Sequence, residues 1–250
     1  YDLSNYFLSS LYLKKKLLNE KNMTTNNEKI VFFIGARGGS KGLKNKNLIK
    51  IFKKTLISWT ILQAKKSKFY SELIVSSDSE SILKEAKKNG ATFLIKRPRK
   101  ISSDTAPKFA VWKNAVKEYE EKNKSKIDIL VDLDCTNPLR YVHDIDKIIK
   151  KKLNDKKCDA VVSIAPARKN PYFNMVEFKK EYLKISKSMD RWPSRRQDTP
   201  KVYDQVASIY CLDKKFIESK KKLYDGKIKG YIMKEYQSFD IDSKLDLEII

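Results

Sequence analysis

The segment Ile30–Asn47 constrains this chain more than any other stretch. It opens with an apolar run, Ile30 to Ile34, reaches Gly35, and then breaks into a loop with glycines at 38, 39 and 42 and cations at Arg37, Lys41, Lys44 and Lys46. A short apolar run of this kind is a buried strand, and the turn after it is the strand's exit at the carboxyl edge of a sheet. Glycine lets backbone N–H groups come close to an anion, and the fixed cations strengthen the local field. Together they make a cradle for a polyphosphate. It is neither of the two common ones. Gly42 is followed by Leu43 and Lys44 rather than by Lys and Ser or Thr, and glycines at 35, 38, 39 and 42 do not fit G-x-G-x-x-G.

Strand-like runs recur at 30–35, 72–77, 92–96, 127–133 and 158–165. Between them lie helical faces: Ile82, Leu83 and Ala86; Phe109, Trp112, Val116 and Tyr119; Val142, Ile145 and Ile149. Alternating βα units predict an α/β fold, a mostly parallel sheet with helices on both faces, whose ligands sit outside the carboxyl ends of the strands. Between 166 and 200 the rhythm breaks. Prolines at 166, 171, 193 and 200, with Tyr172, Phe173, Met175 and Phe178, predict short strands with an exposed apolar surface, a small excursion from the sheet. A last βα unit begins near Gly230, and the chain stops at Ile250 within a helix. The folded domain is expected over 30–250. Residues 1–29 are read as an extension outside it, with a short amphipathic helix around Leu8, Leu11 and Tyr12 and a natural start at Met23.

The second informative feature is Asp240-Ile241-Asp242. In an extended segment residues i and i+2 point to one side. Two carboxylates so placed repel unless a cation lies between them. A magnesium ion on a nucleotide's phosphates is such a cation, because Mg²⁺ takes one or two carboxylates plus phosphate oxygens and water. Ser243 and Asp246 have the spacing of a capping box for the closing helix.

These features carry a resemblance. Ala36-Arg37-Gly38-Gly39-Ser40-Lys41-Gly42, then Lys46-Asn47, resembles the opening A-R-x-x-S-K-G…K-N of the acylneuraminate cytidylyltransferases, the CMP-sialic acid synthetases. Asp240-Ile241-Asp242 followed by Asp246-Leu247 resembles that family's closing motif. Arg97-Pro98 with Asp104-Thr105 resembles its R-P…D-T, and Thr136, Pro138, Leu139 and Arg140 match part of its Q-P-T-S-P-L-R. Arg196-Gln197 resembles its R-Q segment, and Ala207 to Tyr210 its G-x-I-Y.

The resemblance implies a Rossmann-like nucleotide-diphospho-sugar transferase fold, with 166–200 as a dimerisation or lid insertion. It implies transfer of CMP from CTP to a nine-carbon 2-keto sugar acid, with pyrophosphate released and Mg²⁺ as cofactor. Ala36, Arg37, Gly38, Ser40, Lys41, Lys46, Asn47 and Arg97 would bind the nucleotide. Arg37, Lys46 and Asp242 would carry catalysis, Asp240 and Asp242 the metal, and Asp134, Thr136, Arg196 and Tyr210 the sugar. Two departures point to an altered acceptor: Asp134 stands where the family usually has Gln, and Val206 where Asn is common. Legionaminic, pseudaminic and 3-deoxy-octulosonic acids are the alternative acceptors.

Composition adds limits. The net charge of +23 raises nucleic acid as a partner, but the lysines are spread over every segment rather than gathered into a stripe, so none is expected. A non-catalytic polyanion-binding relative is the rival in a different class. No apolar run approaches the roughly 20 residues of a membrane span. Cys135, Cys158 and Cys211 are too sparse for a disulfide framework or a zinc site and read as buried thiols of a cytoplasmic protein. His143, the only histidine, is placed near a helix start, facing water. Beside the R-P…D-T reading, Ser103, Asp104 or Thr105 reads equally as a cap of the helix that begins near Lys108. A homodimer is expected.

Overall fold

The computed structural model describes residues 28–39, 42–103 and 105–250. The predicted extension up to residue 27, and Ser40, Lys41 and Asp104, lie outside the described residues.

Alternation along the first strand explains the layering. In β1 (Ile30–Gly35), Phe32 and Ile34 join one core cluster while Val31 and Phe33 join another on the opposite face. A strand buried on both faces needs a helix layer on each. Helices α1 (Leu56–Lys65), α2 (Glu80–Lys88) and α4 (Val142–Leu153) cover the first face, through Ile57, Ile61, Ile82, Ala86, Ile145 and Ile149. Helices α3 (Lys108–Asn123) and α5 (Lys214–Ser219) cover the second, through Phe109, Trp112, Val116, Tyr119, Phe216 and Ile217.

Two short strands, β2 (Lys50–Ile51) and β3 (Lys54–Thr55), form a separate hairpin before α1. The main sheet adds β4 (Glu72–Ser77), β5 (Phe93–Lys96), β6 (Ile129–Leu133), β7 (Ala160–Pro166), β10 (Tyr203–Asp213) and β11 (Ile228–Ile232) to β1. Among the described residues its order is β11-β7-β10-β6-β1-β4-β5. Only β10 runs against its neighbours, pairing antiparallel with both β6 and β7. That reversal was not readable from the sequence. The chain leaves β1 toward β4 and β5 on one side and returns to β6 on the other. The carboxyl ends of β1 and β6 therefore flank a topological switch point, where open α/β sheets bind ligands.

The predicted excursion forms a two-stranded hairpin, β8 (Val176–Lys179) and β9 (Tyr182–Ile185), paired only with itself. Phe178, Tyr182, Leu183 and the nearby Trp192 are 77%, 68%, 59% and 65% exposed. The closing helix α6 (Lys244–Ile249) starts with the predicted capping box: Ser243 accepts from the Asp246 N–H, and Asp246 accepts from the Ser243 N–H. The three cysteines are buried and free, and His143 sits exposed in the first turn of α4. The expected capping of α3 differs. Pro107 occupies the N-cap, and no side chain caps that end. Proline at a helix entry pre-sets φ, so the chain enters without a hydroxyl acceptor.

Candidate active site

Two segments almost 200 residues apart in sequence meet at the carboxyl edge of the sheet. The glycine loop leaves β1, and Ala36 is fixed by donating its N–H to the Ser76 carbonyl at 3.0 Å. Asn47 is buried and donates to the Arg37 carbonyl at 3.0 Å, so it ties the far end of the loop back to its start. The Asp240–Asp242 segment is held by the loop after β6. Asn137, fully buried, donates to the carbonyls of Gln237 and Phe239 at 2.7 and 2.8 Å, and the Ile241 N–H donates to the Thr136 carbonyl at 2.9 Å.

The two segments touch each other directly. Leu43, Leu56 and Ile241 form a small buried apolar cluster between them. Gly42 faces the Asp242 carbonyl so closely that a Cβ there would lie 2.3 Å from its oxygen. Lys46 Nζ reaches Asp242 Oδ1 at 2.6 Å.

The result is a cleft of about 280 Å³ whose lining includes Arg37, Lys46, Arg97, Asp134, Asp240 and Asp242. Thr136, Gly35 and Asn47 also line it. Arg37 and Asp242, the two ends of the sequence argument, thus share one cavity. Arg97 is pinned against the end of β4, donating to the Ser76 carbonyl at 2.7 Å and to Ser76 Oγ at 3.2 Å. Burial pulls its guanidinium below the ordinary arginine range, and the nearby carboxylates of Asp78 and Asp132 oppose this. Gly38 is held by its own N–H, which donates to Asp78 Oδ1 at 2.8 Å.

Of the acidic pair, Asp242 is exposed and Asp240 half-buried. Burial pushes the Asp240 carboxyl above the usual carboxylate range. Asp134 and Asp242 push the same way, while a hydrogen bond from Thr136 acts against them. Asp240 Oδ1 is buried and has no hydrogen-bond partner among the described residues. An orphaned carboxylate oxygen beside two further carboxylates is an anionic corner that favours a cation. Among the described residues no cluster of three or more metal-ligating side chains exists. The carboxylates of Asp240 and Asp242 suit a hard cation that brings phosphate oxygens with it, as Mg²⁺ on a nucleotide does.

Three residues of this wall were not singled out as site residues from the sequence. Lys108 Nζ lies between Asp132 Oδ2 at 3.2 Å and Asp134 Oδ2 at 2.7 Å, and Trp112 Nε1 donates to Asp132 at 2.9 Å. The available signal was Asp132 itself, a carboxylate inside the otherwise apolar strand β6. Tyr210 does not line the cleft. It is buried beneath it, with Lys108 Nζ 4.1 Å from its ring centre. Arg196 is not brought into the cleft at all. Its guanidinium donates to the Ala167 carbonyl in a separate groove of about 550 Å³ formed by Pro166, Thr199 and Tyr203. Cys135, next to Asp134, is buried, and burial pushes its thiol up to about 12.

A family model described as "Cytidylyltransferase" matches residues 31–250. Among curated proteins, the chain is 40% identical over 221 residues to the Post-translational flagellin modification protein B of Campylobacter coli, covering 88% of this chain and 93% of that one. It is 37% identical over 221 residues, with the same coverage, to the CMP-N,N'-diacetyllegionaminic acid synthase of Campylobacter jejuni subsp. jejuni serotype O:2. Among solved structures, a CMP:2-keto-3-deoxy-manno-octonic acid synthetase complexed with CTP superposes with a TM-score of 0.65 at 16% identity, over 89% of this chain and 96% of that one. At that identity the likeness concerns the fold.

Proposed function

Because this chain belongs to the cytidylyltransferase family, we propose that it transfers CMP from CTP to the anomeric hydroxyl of a nonulosonic acid and releases pyrophosphate. An N,N'-diacetyllegionaminic-type acid is the acceptor we favour over sialic, pseudaminic and 3-deoxy-octulosonic acids. The name of the relative at 37% identity supports this, as does the acidic Asp134 in the cleft wall.

The single observation that carries the reading is the convergence of the glycine loop and the aspartate pair on one cavity. Transfer at the α-phosphorus is mostly a matter of positioning and of neutralising charge along the triphosphate. Arg37 and Lys46, with Ser40 and Lys41 of the same loop, would hold the phosphates that leave as pyrophosphate. Arg97 would lie against the nucleoside. Asp240 and Asp242 would hold Mg²⁺, and Lys46 would give up Asp242 for a phosphate as the nucleotide arrives. Bound there, the ion would supply electrophilic stabilisation at the α-phosphate. The Thr136 carbonyl holds the Ile241 N–H, and Asn137 holds the turn that delivers Asp240.

We further assign the protein to the cytoplasm, a reading supported by its free buried thiols. We also assign it as a homodimer joined through the β8–β9 excursion, for which the exposed Phe178 and Leu183 are the support.

The experiment is pyrophosphate release with CTP, Mg²⁺ and a panel of nonulosonic acids. The expected outcome is turnover with a legionaminic-type acid, and a loss of roughly a hundredfold or more in kcat for Asp242→Ala with the fold intact by circular dichroism. No release with any acid would refute the proposal. Near-normal turnover by Asp242→Ala would remove that residue from the reacting centre.

A further inference from the structure

Asp134 lines the cleft and is held at both its backbone and its side chain. Its N–H donates to the Ser208 carbonyl at 3.0 Å, and its own carbonyl accepts from the Arg140 guanidinium. Arg140 is buried and spends its other donors on the Ser208 carbonyl, Thr60 and Gln63. The side chain is tied as well, because Oδ2 accepts from Lys108 Nζ at 2.7 Å. It shares the cleft with the glycine loop's Arg37 and Lys46.

Asp132 and Asp134 stand at i and i+2, with Asp132 closing onto the same ammonium. Without a cation between them, two carboxylates so close repel, and one must protonate or swing away. Lys108 is fixed in turn: the Tyr210 ring lies 4.1 Å under its Nζ, and Trp112 holds Asp132 from the other side. An ionised aspartate accepts hydrogen bonds and donates none. It repels phosphate, and the uncharged ligand groups that suit it are O–H and N–H donors.

We propose that Lys108 is a positioning residue that fixes Asp134 as an acceptor for hydroxyl or amide N–H donors of the acceptor sugar, and so sets which acid the site takes. This rests on the reaction proposed above. A residue acting through Asp134 changes binding of one substrate, depends on Asp134, and is replaceable by another cation.

The test measures steady-state kinetics with CTP and the preferred acid for the wild type, Lys108→Met, Lys108→Arg, Asp134→Asn and the double variant Lys108→Met/Asp134→Asn. In Lys108→Met, KM for the acid is expected to rise about ten- to a hundredfold, the loss of one charged hydrogen bond, while KM for CTP moves less than about twofold. Lys108→Arg should recover most of the loss. In the Asp134→Asn background, Lys108→Met should add nothing further. Melting curves for each variant separate a folding defect from a binding one.

Three results would overturn the inference: unchanged acid KM in Lys108→Met, a full additional loss in the double variant, or a rise confined to CTP that disappears with 2′-deoxyCTP. The last would mean that Asp134 reads the ribose. If the wild type itself releases no pyrophosphate with any acid, it is the reaction that fails. If the wild type turns over and Lys108→Met matches it, only the role of Lys108 fails.

Discussion

Gly42 and Asp242 meet backbone to side-chain position, and there is no room at 42 for a methyl group: its carbon would lie 2.3 Å from the Asp242 carbonyl oxygen. The glycine is therefore required by a close approach between the phosphate loop and the acidic segment, not by its own turn. Gly42→Ala should force the two apart at a cost of about 1–3 kcal/mol, the usual range for overpacking. Calorimetric titration with Mg·CTP should then show affinity reduced by about tenfold or more, since the loop and the carboxylates would no longer face one ligand. Unchanged affinity would mean that the loop binds nucleotide without the aspartates. Gly39, by contrast, faces open space, and nothing lies within 4 Å of a Cβ built there.

At this scale the sequence was informative where a residue type is scarce. Seven glycines in 250 residues make four between positions 35 and 42 conspicuous. Two aspartates astride a buried isoleucine are equally visible, and Ile241 is fully buried. Lys108 was not visible, because in a chain with 54 Lys and Arg residues one more lysine at a helix start carries no signal. Its role comes from β6, which brings Asp132 and Asp134 under it. Arg196 was conspicuous as part of a charge cluster, yet its location depends on the path between the hairpin and β10, which no local pattern fixes.

At the scale of elements, the strands of the βα units were legible to within about two residues, because apolar runs bounded by turns report burial on both faces. The antiparallel insertion of β10 between β6 and β7 was not, since strand direction depends on connections rather than on composition. The β8–β9 hairpin was foreseen as an excursion with an apolar surface, and its energetics call for company. A lone two-stranded hairpin is marginal in water, and an exposed patch carrying Phe178, Tyr182, Leu183 and Trp192 favours association. The double substitution Phe178→Asp/Leu183→Asp should convert a dimer into a monomer by light scattering on a sizing column. A wild type that elutes as a monomer at micromolar concentration would contradict the assigned dimer.

At the scale of the molecule, the sheet acts as a ruler. It places the ends of β1, β4, β5 and β6 side by side, so that Arg37, Arg97 and Asp134 come from three separate βα loops and meet the closing Asp240–Asp242 segment at the switch point. The apolar cluster of Leu43, Leu56 and Ile241 then joins the first loop of the domain to its last. None of the described helices is long and apolar enough to cross a membrane. The net charge of +23 is spread along the chain, and the cleft concentrates only a few of those cations against the anionic corner at Asp240. The measurement that tests this arrangement most directly is a crystal structure with CTP and Mn²⁺, with the ion located by anomalous scattering. The account predicts a manganese peak ligated by Asp240, Asp242 and the α-phosphate, with the outer phosphates on Arg37 and Lys46. A triphosphate lying in the glycine loop with the ion bound away from both aspartates would contradict it.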